Sequence, residues 1–187
     1  MSNRARREIA GFLIAIVTIL SAPQKNLAAA PDMLGKLNLS TYPRATRPPE
    51  FNGSTIDGRT VSLASLSGKV VVLNFWATWC QECRPEMPMF QRLHREFAPQ
   101  GLNVIGINAR EGRAAIRGYA KDLGLTFPLV LDPKGEITAA YGVIGLPTTF
   151  LIGRDGRAVA RGVGSREWSG EHALEIIRAL LAERSQR

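Results

Sequence analysis

Cysteine is nearly absent from this 187-residue chain, which has only Cys80 and Cys83, and histidine is as scarce, at His94 and His172. A structural zinc site takes four ligands, usually a second Cys pair or a Cys/His pair at set spacing, and neither histidine supplies one. No segment repeats, and no low-complexity tract is long enough to name. The N-terminal apolar stretch, Ile9–Ala22, has only 14 residues, short of the roughly 20 that a spanning helix usually wants. Acidic residues are outnumbered, 16 against 24, for a formal net charge of +8. The arginines are scattered through turns and helix faces, without a basic stripe or interleaved aromatics, which excludes a nucleic-acid partner. What remains is a chain 45% hydrophobic with mixed charge, a globular protein with one core and a short extra segment.

The two cysteines stand together at a change of hydrophobic period. Val70-Val71-Val72-Leu73-Asn74-Phe75 is a continuous apolar run, as in a strand covered on both faces. After Trp76-Ala77-Thr78-Trp79-Cys80-Gln81-Glu82-Cys83-Arg84-Pro85 the period becomes helical, with Met87, Phe90, Leu93 and Phe97 on one face. A Cys-x-x-Cys between a strand and a helix N-terminus lets the two sulfurs meet. It also sets the first cysteine near unpaired N–H groups and a positive dipole end, which favour thiolate. Pro85 falls in the first helical turn, whereas Pro88 is expected to kink the helix. Two inert structural cysteines are the alternative, though these would need no such turn.

The stretch Trp-Ala-Thr-Trp-Cys-Gln-Glu-Cys-Arg-Pro-Glu-Met-Pro resembles the active site of the thioredoxin superfamily. More narrowly, it is similar to the TlpA/ResA-like extracytoplasmic thiol–disulfide oxidoreductases. Asp57-Gly58-Arg59-Thr60-Val61-Ser62-Leu63, Leu66-Ser67-Gly68-Lys69 and Gly145-Leu146-Pro147-Thr148-Thr149-Phe150 carry the likeness from about Pro48 to Gly164. The dipeptide Gln81-Glu82 departs from it, since many relatives have a proline before the second cysteine. The resemblance implies an α/β thioredoxin-like sandwich with an N-terminal hairpin extension and a central β-α insertion. It implies a protein-disulfide reductase in which Cys80 attacks and Cys83 resolves, the pair cycling through a Cys80–Cys83 disulfide. Direct exchange of sulfur on sulfur requires no organic cofactor or metal. Pro147 is expected in cis facing the cysteines, with Leu146 and Trp79 meeting substrate and Trp76 in the core. Glu86 matches the active-site glutamate of the ResA-like branch. A carboxylate there would raise a cysteine pKa and ferry a proton; a solvent-facing helix glutamate is the plainer reading. Within the family, substrates include apocytochrome c haem-site cysteines and copper-centre proteins of respiratory oxidases, and a membrane thiol carrier recharges the dithiol. A copper metallochaperone without redox turnover, with both sulfurs as soft ligands, is one competing reading. A thiol peroxidase that enlists Thr78 is the other.

In chain order, residues 1–30 form a targeting segment. Arg4, Arg6 and Arg7 precede the apolar stretch, and Ala28-Ala29-Ala30 offers small residues for cleavage. A cleaved signal and a retained membrane anchor are both open, and either puts the rest in the periplasm or its equivalent. Residues 31–47 form a linker, on their prolines and lack of period, and 48–187 the thioredoxin-like domain. Within that domain a hairpin turns at Asp57-Gly58, and strands follow at 102–108, 127–131 and within 145–152, with Pro147 at the strand entrance. Helices fall at 111–124 and 136–141, Asp155-Gly156 turns a second hairpin, and Leu174, Ile177 and Leu181 mark the last helix. The sheet has about five strands. His94 flanks the helix after the cysteines, and His172 is solvated.

Overall fold

A computed structural model describes residues 31–183, so the expected targeting segment lies outside the described residues. The elements are α1 (Pro31–Gly35), β1 (Ser40–Thr46), β2 (Asn52–Ser54), β3 (Thr60–Ser62), β4 (Val70–Trp76), α2 (Glu86–Phe97) and β5 (Leu102–Ala109). They continue with α3 (Arg113–Asp122), β6 (Leu129–Asp132), α4 (Glu136–Ala140), β7 (Thr148–Ile152), β8 (Ala158–Val163) and α5 (Glu171–Ala182). Among the described residues, no helix is long and apolar enough to cross a membrane.

β4 is the axis of the molecule. The sheet runs β1-β8-β7-β4-β5-β6, with β4 parallel to β5 and antiparallel to β7. All seven β4 residues are buried, and the strand period sends them to two cores. Val70, Val72 and Trp76 join Met87, Phe90 and Leu93 of α2 and Leu174 and Ile177 of α5. Val71, Leu73 and Phe75 face Phe150, Ile152, Tyr141 and the hairpin residues Val61 and Leu63. Full burial of each such side chain contributes about 1.5–3 kcal/mol. At Gly106 in β5 a Cβ would come within 2.9 Å of both Trp76 Nε1 and Leu129 Cδ2. Glycine at that position is what lets the Trp76 indole lie against the neighbouring strand.

Two expectations about the backbone change. Residues 31–47 are not a featureless linker, for they carry α1 and β1, and β1 pairs antiparallel with β8 as a sixth strand. Leu34, Leu37 and Leu39 are buried in the α2–α5 core. Those leucines have neither helical nor strand period, so the arm was invisible to a search for regular faces. Pro88 does not interrupt α2. It is the third residue of a helix that begins at Glu86, where the backbone nitrogen has no acceptor in the helix to lose.

Candidate active site

The Cys-x-x-Cys leaves the end of β4 in a string of turns closed by i to i+3 bonds. Cys80 N–H donates to Ala77 O (3.2 Å), Cys83 N–H to Cys80 O (3.2 Å) and Glu86 N–H to Cys83 O (3.1 Å). The regular helix starts only at Glu86. Pro85 and Pro88 explain the delay, because each removes an N–H that an earlier start would need. Cys80 is therefore ahead of the helix terminus, not on it, and the dipole effect fades within about one turn. A nearer donor takes its place, since Cys83 N–H also points at Cys80 Sγ, 3.1 Å away. Such a bond favours thiolate at Cys80 in the reduced protein.

Cys80 and Cys83 are joined by a disulfide, with sulfurs 2.05 Å apart. Cys80 retains 6% of its surface and Cys83 none. Trp79, 68% exposed, stands beside them. Leu146-Pro147 leads into β7: the β4–β7 ladder ends at Phe75 opposite Thr148, so Pro147 lies at the end of β4 from which the cysteines depart. The Leu146–Pro147 bond is cis, and Pro147 O accepts from Gly164 N–H at 2.8 Å. Leu146 is half-buried and Pro147 buried. Trp76 is wholly buried, as a core residue should be. His94 is half-buried on α2 with its ring 6.3 Å from Phe127, and His172 is exposed beside Glu175.

Glu86 is not a solvent-facing residue. Its side chain is fully buried, with Oε1 accepting from the Arg166 backbone N–H and from Trp168 Nε1–H, both at 2.8 Å. Oε2 is buried with no hydrogen-bond partner among the described residues. Loss of hydration raises the carboxyl pKa to about 7, against the lowering effect of those two donors and the Arg166 charge, while Glu82 adds a small upward push. Desolvation prevails because one oxygen has nothing to replace its water. A carboxyl poised near neutrality can both take and give a proton there.

A second carboxylate holds the loop from the other side. Glu111 accepts from Thr78 N–H and Asn108 Nδ2–H, both at 2.7 Å, and from the Thr78 hydroxyl. The helical pattern places Glu111 at the start of a helix, yet α3 begins two residues later and leaves it free to reach back. Glu111→Ala would strand the buried Asn108 amide, at a cost of about 1–3 kcal/mol, while water can reach the half-buried Thr78. Urea unfolding of the oxidised variant should show a loss of about 2 kcal/mol. Trp168 and Arg166 are likewise not marked in the sequence as partners of Glu86. The one available hint was that an indole N–H needs an acceptor when buried.

Residues 45–161 match the AhpC/TSA family. Thiol-disulfide oxidoreductase ResA from Bacillus thuringiensis subsp. konkukian is 37% identical over 133 residues, covering 71% of this chain and 73% of that protein. ResA from Bacillus subtilis is 35% identical over 149 residues, 80% of this chain and 79% of its own. A thiol:disulfide interchange protein of the thioredoxin family from Chlorobium tepidum superposes with a TM-score of 0.68, with 31% identity over 75% of this chain and 99% of that one. The fold is a mixed α/β thioredoxin-like fold.

Proposed function

The chain belongs to the AhpC/TSA family and, within it, to the ResA-like thiol–disulfide oxidoreductases, and from that premise we propose that it is an extracytoplasmic reductant of protein disulfides working through Cys80 and Cys83. The observation that carries the reading is the asymmetry of the pair: Cys80 touches solvent, Cys83 does not, and a buried acid with a pKa of about 7 lies in the next turn.

In the proposed cycle the Cys80 thiolate attacks one sulfur of a substrate disulfide, and the other sulfur leaves as a thiolate that takes up a proton. The mixed disulfide is then attacked by Cys83, whose proton passes to the Glu86 carboxylate. Formation of the Cys80–Cys83 disulfide expels the second substrate thiolate, so two electrons have moved from the dithiol to the substrate. A membrane thiol carrier restores the dithiol. Trp79, Leu146 and Pro147 form the rim that receives the substrate chain, and backbone groups at Leu146 bind it as an added strand. The substrates proposed are apocytochrome c haem-site cysteines or copper-centre proteins, met at the outer membrane face while residues 1–30 export or tether the domain.

Insulin reduction by the dithiol form tests the activity, and the reduction potential tests its direction. A potential well below the compartment's poise is expected, whereas one near about −120 mV would make the protein an oxidant. The peroxidase alternative enlists Thr78 beside Cys80, but the Thr78 hydroxyl is committed to Glu111. Peroxide turnover faster than insulin reduction would restore that alternative. Copper(I) binding by both sulfurs without insulin reduction would favour a metallochaperone.

A further inference from the structure

The Arg166 side chain turns away from Glu86 while its backbone turns toward it. The guanidinium spans two separate stretches of chain. Nε donates to Leu37 O at 2.8 Å and one terminal nitrogen to Asn38 O at 2.7 Å, both in the arm between α1 and β1. The other terminal nitrogen donates to Val163 O (2.9 Å) and Gly164 O (2.5 Å), in the loop that leaves β8. The planar fork of arginine supplies these four bonds with little freedom left to lose. A side chain larger than glycine beneath it would displace the guanidinium. A Cβ on Gly162 would lie 2.8 Å from Arg166 Cζ and 2.8 Å from Leu39 Cδ2. The arm is fixed from below by Leu34, Leu37 and Leu39, which share a core with Met87, Phe90 and Trp168.

We propose that Arg166 is a positioning residue for Glu86, clamping the N-terminal arm to the loop after β8 so that the Arg166 N–H and the Trp168 indole stay aimed at the carboxylate. The arm is thereby part of the site, although it touches neither sulfur. The proposal rests on the reading of Glu86 as the proton carrier of the exchange. The charged groups acting on Glu86 are Glu82 from its own turn and Arg166 from the loop, and the arm contributes the Leu37 and Asn38 carbonyls that hold Arg166. Without the clamp, the two donors and the nearby positive charge are lost together. All three favour the ionised carboxyl, so its midpoint must rise.

The experiment is a 13C NMR titration of the Glu86 carboxyl in the full-length, disulfide-bonded protein, with the resonance assigned by its loss in Glu86→Gln. Arg166→Ala is expected to raise the midpoint by at least half a pH unit, about threefold in proton affinity. Gly162→Ala, which displaces the guanidinium without removing it, should shift it the same way. Arg166→Lys keeps the charge but not the fork, and should side with alanine. An unchanged or lowered midpoint in Arg166→Ala and Gly162→Ala, or a wild-type midpoint in Arg166→Lys, overturns the clamp. Because the oxidised protein has no titrating thiol, these outcomes are independent of the exchange chemistry. The proton-carrier reading fails separately if Glu86→Gln exchanges thiols as the wild type does across pH.

Discussion

Cys83→Ser is expected to turn the protein into a covalent trap. Cys80 can still attack a substrate disulfide, but no second thiol releases the product, so mixed disulfides accumulate. Cys80→Ser should accumulate few, because Cys83 has no exposed surface and Cys80 keeps 6%. The hydrogen bond from Cys83 N–H to Cys80 Sγ favours the same order, since it stabilises the attacking thiolate and not the resolving one. It survives the serine substitution, being a backbone donor. Non-reducing gels of the two variants expressed in the native host, followed by mass spectrometry of the adducts, would also identify the substrate. Adducts formed mainly through Cys83 would reverse the assigned order of attack.

The second large effect concerns Glu86 and pH. Its folded pKa of about 7 lies above the ordinary carboxyl value of 4.5, so the folded state binds its proton more tightly than the unfolded state. Stability from this group is then fully present below pH 4.5 and is lost as pH rises through about 7. Full ionisation costs up to about 3 kcal/mol, from the rise of the carboxyl from 4.5 to about 7. Glu86→Gln keeps an oxygen for Arg166 and Trp168 but carries no charge, so it should remove that pH dependence. In the oxidised protein, the difference between wild-type and variant urea stabilities should grow from pH 4.5 to pH 7.5 and then level off. His94, held below its usual pKa by burial, acts in the opposite sense but cancels in the difference. In the reduced protein, the same variant should lower the pKa of at least one cysteine, read by thiolate absorbance. Parallel stability curves and superimposed thiolate titrations would together make Glu86 a packing residue.

Much of this was legible from local pattern. The β4 run, the α2 face and the Asp57-Gly58 turn follow from residue type and period, although α2 starts at Glu86 and not at the cysteines. The spacing of Glu86 from Cys83 was equally readable, whereas its burial was not. A solvent-facing glutamate and a buried one have the same neighbours in sequence, and what separates them is the Trp168 and Arg166 cover. The arm shows the converse failure. Pro43 and the scattered leucines obey no period, so β1 and its docking emerge only when β8 is present to pair with it. Thr78, two residues before Cys80, suggests a peroxidase on spacing alone, and Glu111, which decides what Thr78 does, has a helical pattern after it.

The donors to Glu86 lie 80 and 82 residues beyond it, which gives the site a birth order. A chain made from its N-terminus presents both thiols long before Arg166 and Trp168 exist. Until they arrive, Glu86 is an ordinary solvated acid, ionised at neutral pH. The unfinished chain thus carries both cysteines beside a carboxyl that is not yet buried. Only closure by the final segment buries the acid, and a nascent chain stalled before Arg166 would hold both cysteines with Glu86 still in water.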